Sequence, residues 1–179
     1  MWKARCGTVR IFIDGYNLIG AAERKLEGYS LSKSEPSREK LLGLLARYKS
    51  VGSSRMLVFF DGGSEGSHLP RRQFQRGLDV MFSDPKSKAD EDIKQAVAHA
   101  DLPHEIRVVT SDRAVQAFVT RFGAKVTESG DFLDEIAQAL DDSAVPSDEP
   151  IEKYEGTAGG ETDYWLRVFG RKEEHDDDE

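Results

Sequence analysis

Aspartates close or follow several apolar runs of this chain, and they are the residues with chemistry to offer. "IFIDGYNLIG" (11–20) runs apolar side chains straight into Asp14, with the amide of Asn17 three residues on. "FFDGG" carries Asp61 after a second such run, "VVTSDR" carries Asp112, and "FSDPKSKADEDI" brings Asp84 and then Asp90, Glu91 and Asp92. Carboxylates gathered in a small volume repel one another, and a hard cation is what holds them ionised. Mg²⁺ or Mn²⁺, bound by two or three carboxylates and several waters, is the expected cofactor, with Asp14, Asp90 and Asp112 as ligands and Asp61 as a further candidate. Such an ion lowers the pKa of a bound water and stabilises charge developing on a phosphoryl group, which points to phosphodiester hydrolysis. The histidines, His68, His99, His104 and His175, lack zinc-ligand spacing.

Each acid also has a plain structural use. Asp14 and Asp61 precede glycines and suit turns, Asp112 or Ser111 suits a helix N-cap, and Asp90 suits the positive end of a helix. Glu91 and Asp92 read as solvated first-turn charges, and Asn17 either caps the segment after it or orients the site. The conjunction is more specific than any member, provided that the fold carries these residues to one rim.

The elements that would do so alternate along the chain. Strand-like runs occur at 8–13, 55–60, 78–82, 105–110 and 124–127, rich in β-branched and aromatic residues. Helical spacing of apolar residues occurs at 37–51, 89–100, 112–123 and 130–140, with Pro36 and Ser37 as a start signal and Gly123 as a stop. Strand alternating with helix predicts an α/β domain with a mostly parallel central sheet, its continuously apolar strands buried on both faces. In such a sheet ligands bind beyond the carboxyl ends of the strands, where Asp14, Asp90 and Asp112 are expected to meet, with Asp61 nearby. The segment 61–73 reads as a glycine-rich surface loop.

At 179 residues the chain fits one domain with a tail. The division expected is a nuclease-like domain over 1–142 and an acidic tail over 143–179, interrupted by "DYWLRVFG" (163–170), whose bulky side chains predict docking on the domain or on a partner. The net charge of −8 is uneven: 14 acids and 4 bases lie from residue 141 onward, leaving a body of 19 acids and 21 bases. A single cysteine, Cys6, excludes an internal disulfide framework. With no apolar core to a leader and no run able to span a bilayer, the expectation is a cytoplasmic protein without membrane contact.

"FIDGYNLI", "VFFDG", "KADEDI" and "VVTSDR", in this order, resemble the YacP-like NYN domain family, a branch of the PIN-like nucleases, over about residues 9–140. The resemblance implies a PIN-like Rossmannoid three-layer fold, a divalent metal and endoribonuclease chemistry, and makes an association with ribosomes plausible. It assigns the family's first acidic position to Asp14, its amide to Asn17, the helix-start acid to Asp90 and the last acid to Asp112. Asp61 falls in a family-like motif, and Ser111 stands beside Asp112 where many PIN-like sites carry a further acid.

A nuclease of RNA needs positive charge beside its acids. Arg71, Arg72 and Arg76 in "LPRRQFQRG", Lys86 and Lys88 before Asp90, and Arg113 after Asp112 are the candidates, and Phe74 and Phe82 are candidates for stacking on unpaired bases. The leading expectation is a metal-dependent endoribonuclease acting on single-stranded or flexible RNA. An aspartyl phosphatase is disfavoured by Tyr16 at the position where a second aspartate would be required. The remaining alternative is a non-catalytic RNA- or ribosome-binding adaptor.

Overall fold

The computed structural model describes residues 10–25, 34–52, 54–62, 71–84 and 87–142. The expected tail, including 163–170, and Lys86 lie outside the described residues, as does most of the glycine-rich segment. Six strands are described: β1 (Arg10–Asp14), β2 (Arg55–Phe60), β3 (Arg72–Gln75), β4 (Leu78–Phe82), β5 (Ile106–Val109) and β6 (Lys125–Thr127). They form one sheet in the order β3-β4-β2-β1-β5-β6, parallel throughout except for β3, which runs antiparallel to β4 at the edge. The α-helices among the described residues are α1 (Gly15–Lys25), α2 (Glu35–Val51), α3 (Ala89–Ala98), α4 (Arg113–Arg121) and α5 (Ser129–Asp142).

Alternation along the strands splits the core in two. Ile11, Ile13, Met56, Val58, Phe60, Leu78 and Val80 meet α1, α2 and α5 on one face. Phe12, Phe59, Ile106 and Val108 meet Ile93 and Val97 of α3 and Val115 and Val119 of α4 on the other. The result is the expected three-layer α/β domain. Its chain leaves β1 towards β2 on one side and fills β5 on the other, so a crevice opens beyond the carboxyl end of β1.

Two elements differ from the sequence reading. α1 begins at Gly15, directly on the end of β1. β3 lies within the stretch read as a basic loop: Arg72 belongs to a strand, and the β3–β4 hairpin turns through Arg76 (φ 51°) and Gly77 (φ 81°). Positive φ at both turn residues is the pattern of a type I′ hairpin, which normally recruits Asn-Gly.

One polar network locks the α2 and α5 layer to the sheet. Arg107 of β5 donates to Glu135 of α5 (3.0 Å to Oε1) and to Thr127 (2.8 Å), and its guanidinium lies over the Phe132 ring. Tyr48 of α2 donates to the same carboxylate. Burial, then the hydrogen bond to Glu135, pushes the Tyr48 hydroxyl up to about 12, while Arg107 holds Glu135 below the usual carboxylate range. Glu135→Ala is expected to cost about 1–2 kcal/mol in urea denaturation, because it orphans a half-buried guanidinium and a tyrosine hydroxyl together.

Candidate active site

The site is built where β1 passes into α1 without a connecting residue. Gly15 permits this: a Cβ there would stand 2.2 Å from the Phe60 ring. Asp14 is therefore set at the helix start, 6% exposed. Its Oδ1 accepts from the Asn17 backbone N–H (3.0 Å) and its Oδ2 from the Thr110 hydroxyl (3.4 Å). These donors do not offset its surroundings. Burial foremost, then the charges of Asp90 and Asp61, push the Asp14 carboxyl up to about 6.

The Thr110 hydroxyl also accepts from the backbone N–H of Asp112 (3.1 Å), so one buried side chain ties two of the expected acids together. Asp112 is also the N-cap of α4: its Oδ1 takes the Ala114 and Val115 N–H groups (2.7 and 3.0 Å). Asp61 does the same service at a distance. Lys88, at the N-cap of α3, makes no side-chain cap bond, and Asp61 Oδ1 instead accepts from Ala89 N–H (2.9 Å). It thereby fixes the helix turn that carries Asp90. Glu91 and Asp92 are engaged elsewhere, with Lys94 (3.7 Å) and Arg71 (3.4 Å), in keeping with their reading as first-turn charges.

Asn17 is a three-way tie. Its Oδ1 accepts from Ser111 N–H (3.0 Å) and from the Ser129 hydroxyl (2.9 Å) at the start of α5. Ser111 Oγ in turn accepts from Ser129 N–H (3.2 Å). With its oxygen so occupied, the amide has only its NH₂ to offer the cleft.

Asp14, Asp61, Asp90 and Asp112 border one cleft of about 480 Å³, together with Asn17, Ser111, Tyr16 and Arg24. Among the described residues, no three Asp, Glu, His or Cys side chains stand close enough to chelate one ion directly. The donor set nevertheless fits a hard cation that keeps most of its water. All the acids offer oxygen, and the most buried of them is a carboxylate that burial first, and then its neighbours' charges, make costly to ionise alone.

The YacP-like NYN domain model matches residues 11–159. The chain belongs to the YacP-like NYN domain family. The uncharacterized protein YacP of Bacillus subtilis (strain 168) is 31% identical over 127 residues, covering 70% of this chain and 74% of that protein. Two crystal structures of Rae1 (YacP) from Bacillus subtilis share the fold. One, of a tryptophan-to-leucine mutant, superposes with a TM-score of 0.59 (24% identity, 89% of this chain and 92% of that one). The other superposes at 0.57 (27% identity, 74% and 75%). The fold is thus PIN-like, and the NYN family sits in a nuclease superfamily whose members generally use divalent ions. The family match continues past the end of α5 into the expected tail.

Within this NYN domain the cations expected from sequence divide. Arg113, at the first turn of α4, and Lys88, before α3, are exposed beside the acids. Arg71 pairs with Asp92, Arg72 with Asp79 (3.0 Å), and Arg76 with Glu39 (3.3 Å) at the hairpin, beyond the amino end of β4 and hence away from the cleft. Phe82 stacks on Phe60 at the edge of the core, whereas Phe74 is 73% exposed. Arg24, Thr110 and Ser129 had no part in the sequence reading. Arg24 sits on α1, Ser129 opens α5 and Thr110 follows β5, so the packing of distant elements brings them together.

The cap formed by Asp61 can be separated from its charge. Asp61→Ala is expected to lose about 1 kcal/mol of stability, whereas Asp61→Asn, which keeps an acceptor for Ala89 N–H, stays within about 0.5 kcal/mol. Thermal melts of the two variants measure the difference.

Proposed function

We propose that this NYN domain is a divalent-metal-dependent endoribonuclease acting on single-stranded or flexible RNA. The observation that carries the reading is Asp14: a buried carboxylate under the charge of Asp90 and Asp61, at the crevice where a parallel sheet binds ligands. Asp14 and Asp90 would hold Mg²⁺ or Mn²⁺, with Asp112 and Asp61 engaging its waters. A divalent ion bound there supplies an activated water and neutralises charge at phosphorus. Thr110 and the Asn17 N–H fix the Asp14 carboxylate, and the Asn17–Ser111–Ser129 tie holds the β5 turn that presents Asp112. Arg24 and Arg113 supply the positive charge that lets a polyanion approach four acids.

The test is incubation with a long, weakly structured RNA in Mg²⁺ or Mn²⁺. Cleavage is expected to stop in chelator and to fall at least about a hundredfold in Asp14→Asn. Cleavage by Asp14→Asn at the wild-type rate refutes the mechanism. RNA binding without cleavage in any divalent metal supports the adaptor reading instead.

A further inference from the structure

One cation beside the cleft is held in a way that its structural surroundings alone do not require. Arg38, in the first turns of α2, donates from Nη1 to the hydroxyl of Tyr16 (3.0 Å). Tyr16 lines the acid cleft. The guanidinium carbon lies 5.8 Å from the centroid of Phe82. Beneath it, Phe60 stacks on Phe82 at 5.8 Å and takes the Tyr16 ring edge-on at 5.2 Å. The Phe82 ring and the hydroxyl of Tyr16, two residues packed on Phe60, thus hold a half-buried arginine, and no carboxylate pairs with it among the described residues. Arg71, Arg72 and Arg76 all have acidic partners.

We infer that Arg38 is a phosphate-binding residue of this cleft, taking a backbone phosphodiester of a single-stranded polynucleotide on the α2 side of the acids. Its guanidinium carbon lies over Phe82 at 5.8 Å and Nη1 is taken by the Tyr16 hydroxyl, which leaves further N–H donors of a planar group suited to phosphate oxygens. Arg24 lines the same cleft on α1 and Arg113 opens α4, so the strand would be gripped at Arg38 and again at these two residues, with the acids between. The inference rests on the endoribonuclease reading for the identity of the polymer, but its test does not need cleavage.

The experiment is fluorescence anisotropy of a labelled single-stranded RNA in chelator, across a salt series, with cleavage kinetics in Mg²⁺ run separately. Arg38→Met keeps a stem against Phe82 and removes the charge. It is expected to bind about five- to tenfold more weakly, with the salt slope reduced by roughly 0.7, the value for one single-strand phosphate contact. Arg47→Met, the same charge change further along α2, is the control and is expected to move neither. Arg38→Lys should keep the slope, because the charge remains, and recover only part of the affinity, because an ammonium lacks the planar donors. Should Arg38→Met fail to fold, Tyr16→Phe, which removes the hydroxyl that aims the guanidinium, is expected to weaken binding about threefold. In turnover, KM rises and kcat holds. Equal effects of Arg38→Met and Arg47→Met overturn the inference, as does a folded Arg38→Met with wild-type affinity and slope. Arg38-dependent binding with no cleavage in any metal would fail the nuclease reading and leave this one standing. Asp14-dependent cleavage with KM unchanged in Arg38→Met would do the reverse.

Discussion

Asp14→Asn should melt at a higher temperature than the wild-type chain at pH 8 in chelator, and in Mg²⁺ it should cut RNA at least about a hundredfold more slowly. The folded protein holds the Asp14 carboxyl near 6, against an ordinary value of 3.8, mainly because burial disfavours its charge. Between those values the folded state binds more protons than the unfolded one, so stability falls as pH rises through the window. Below about pH 4 the effect is absent, and above about pH 6 it is complete, at roughly 3 kcal/mol. Asparagine keeps the shape and the acceptor for the Asn17 N–H, and it carries no charge to desolvate. The expected gain at pH 8 is therefore about 1–3 kcal/mol, or several degrees at about 2–4 °C per kcal/mol for a chain of this size. At pH 4 the two melting curves should coincide. Millimolar Mg²⁺ should raise the wild-type midpoint and leave that of Asp14→Asn unmoved, because only the carboxylate gains from a bound cation. Thermal melts at pH 4, 6 and 8, with and without Mg²⁺, measure all of this. An Asp14→Asn protein less stable than wild type at pH 8 in chelator would show that the carboxylate is comfortable where it sits, and the driving force for cation binding would be gone.

The same burial explains why the acids of this cleft were legible in the sequence. Asp14, Asp61 and Asp112 follow strands that are apolar on both faces, and a charge at the end of such a run stands out. The sheet was legible for the same reason: Ile11, Ile13, Val58, Phe59, Val108 and Val109 are all buried, in runs too continuous for an exposed helix. α1 was not. It has no acid in its first turn and starts on a glycine, and Leu18, Ile19, Ala21 and Ala22 simply extend the apolar run of β1. β3 was hidden by the opposite fault. "RQFQ" is polar and largely exposed, and its turn carries Arg76 at a positive φ, where the pattern would favour asparagine. The first of those omissions accounts for part of what the site reading lacked. Without α1 there was no way to place Arg24, or to see that Asn17 reaches Ser129, 112 positions away. Nor did any local pattern mark Thr110, whose hydroxyl joins Asp14 to Asp112 across 96 positions of sequence.

The largest loss of stability short of a core truncation is expected from Gly62→Ala. A Cβ at Gly62 would stand 1.9 Å from the carbonyl oxygen of Ser83 and 3.0 Å from its carbonyl carbon. The obstacle is backbone, so no side chain can swing aside. Ser83 cannot retreat freely either: it is buried, and its N–H donates to Phe60 O (2.9 Å), closing the β2–β4 ladder. Relief requires prying the carboxyl ends of β2 and β4 apart, at a cost of about 2–4 kcal/mol. Gly43→Ala is the matched control, since a Cβ there meets nothing within 4 Å and the residue lies inside α2. It is expected to gain about 0.5–1 kcal/mol. The consequence for function follows from the neighbour of Gly62. Asp61 holds Ala89 N–H and so the start of α3, and any shift at the end of β2 is passed to Asp90. Gly62→Ala should accordingly lose cleavage beyond what its folded fraction explains, and Mg²⁺ should restore less of its stability than it does for wild type. Urea denaturation at pH 7 with cleavage measured on the folded fraction separates the two effects. A Gly62→Ala protein within about 0.5 kcal/mol of wild type, cutting RNA at full rate, would mean that β2 and β4 do not approach this closely at the rim and that Asp61 does not transmit their spacing to the acids.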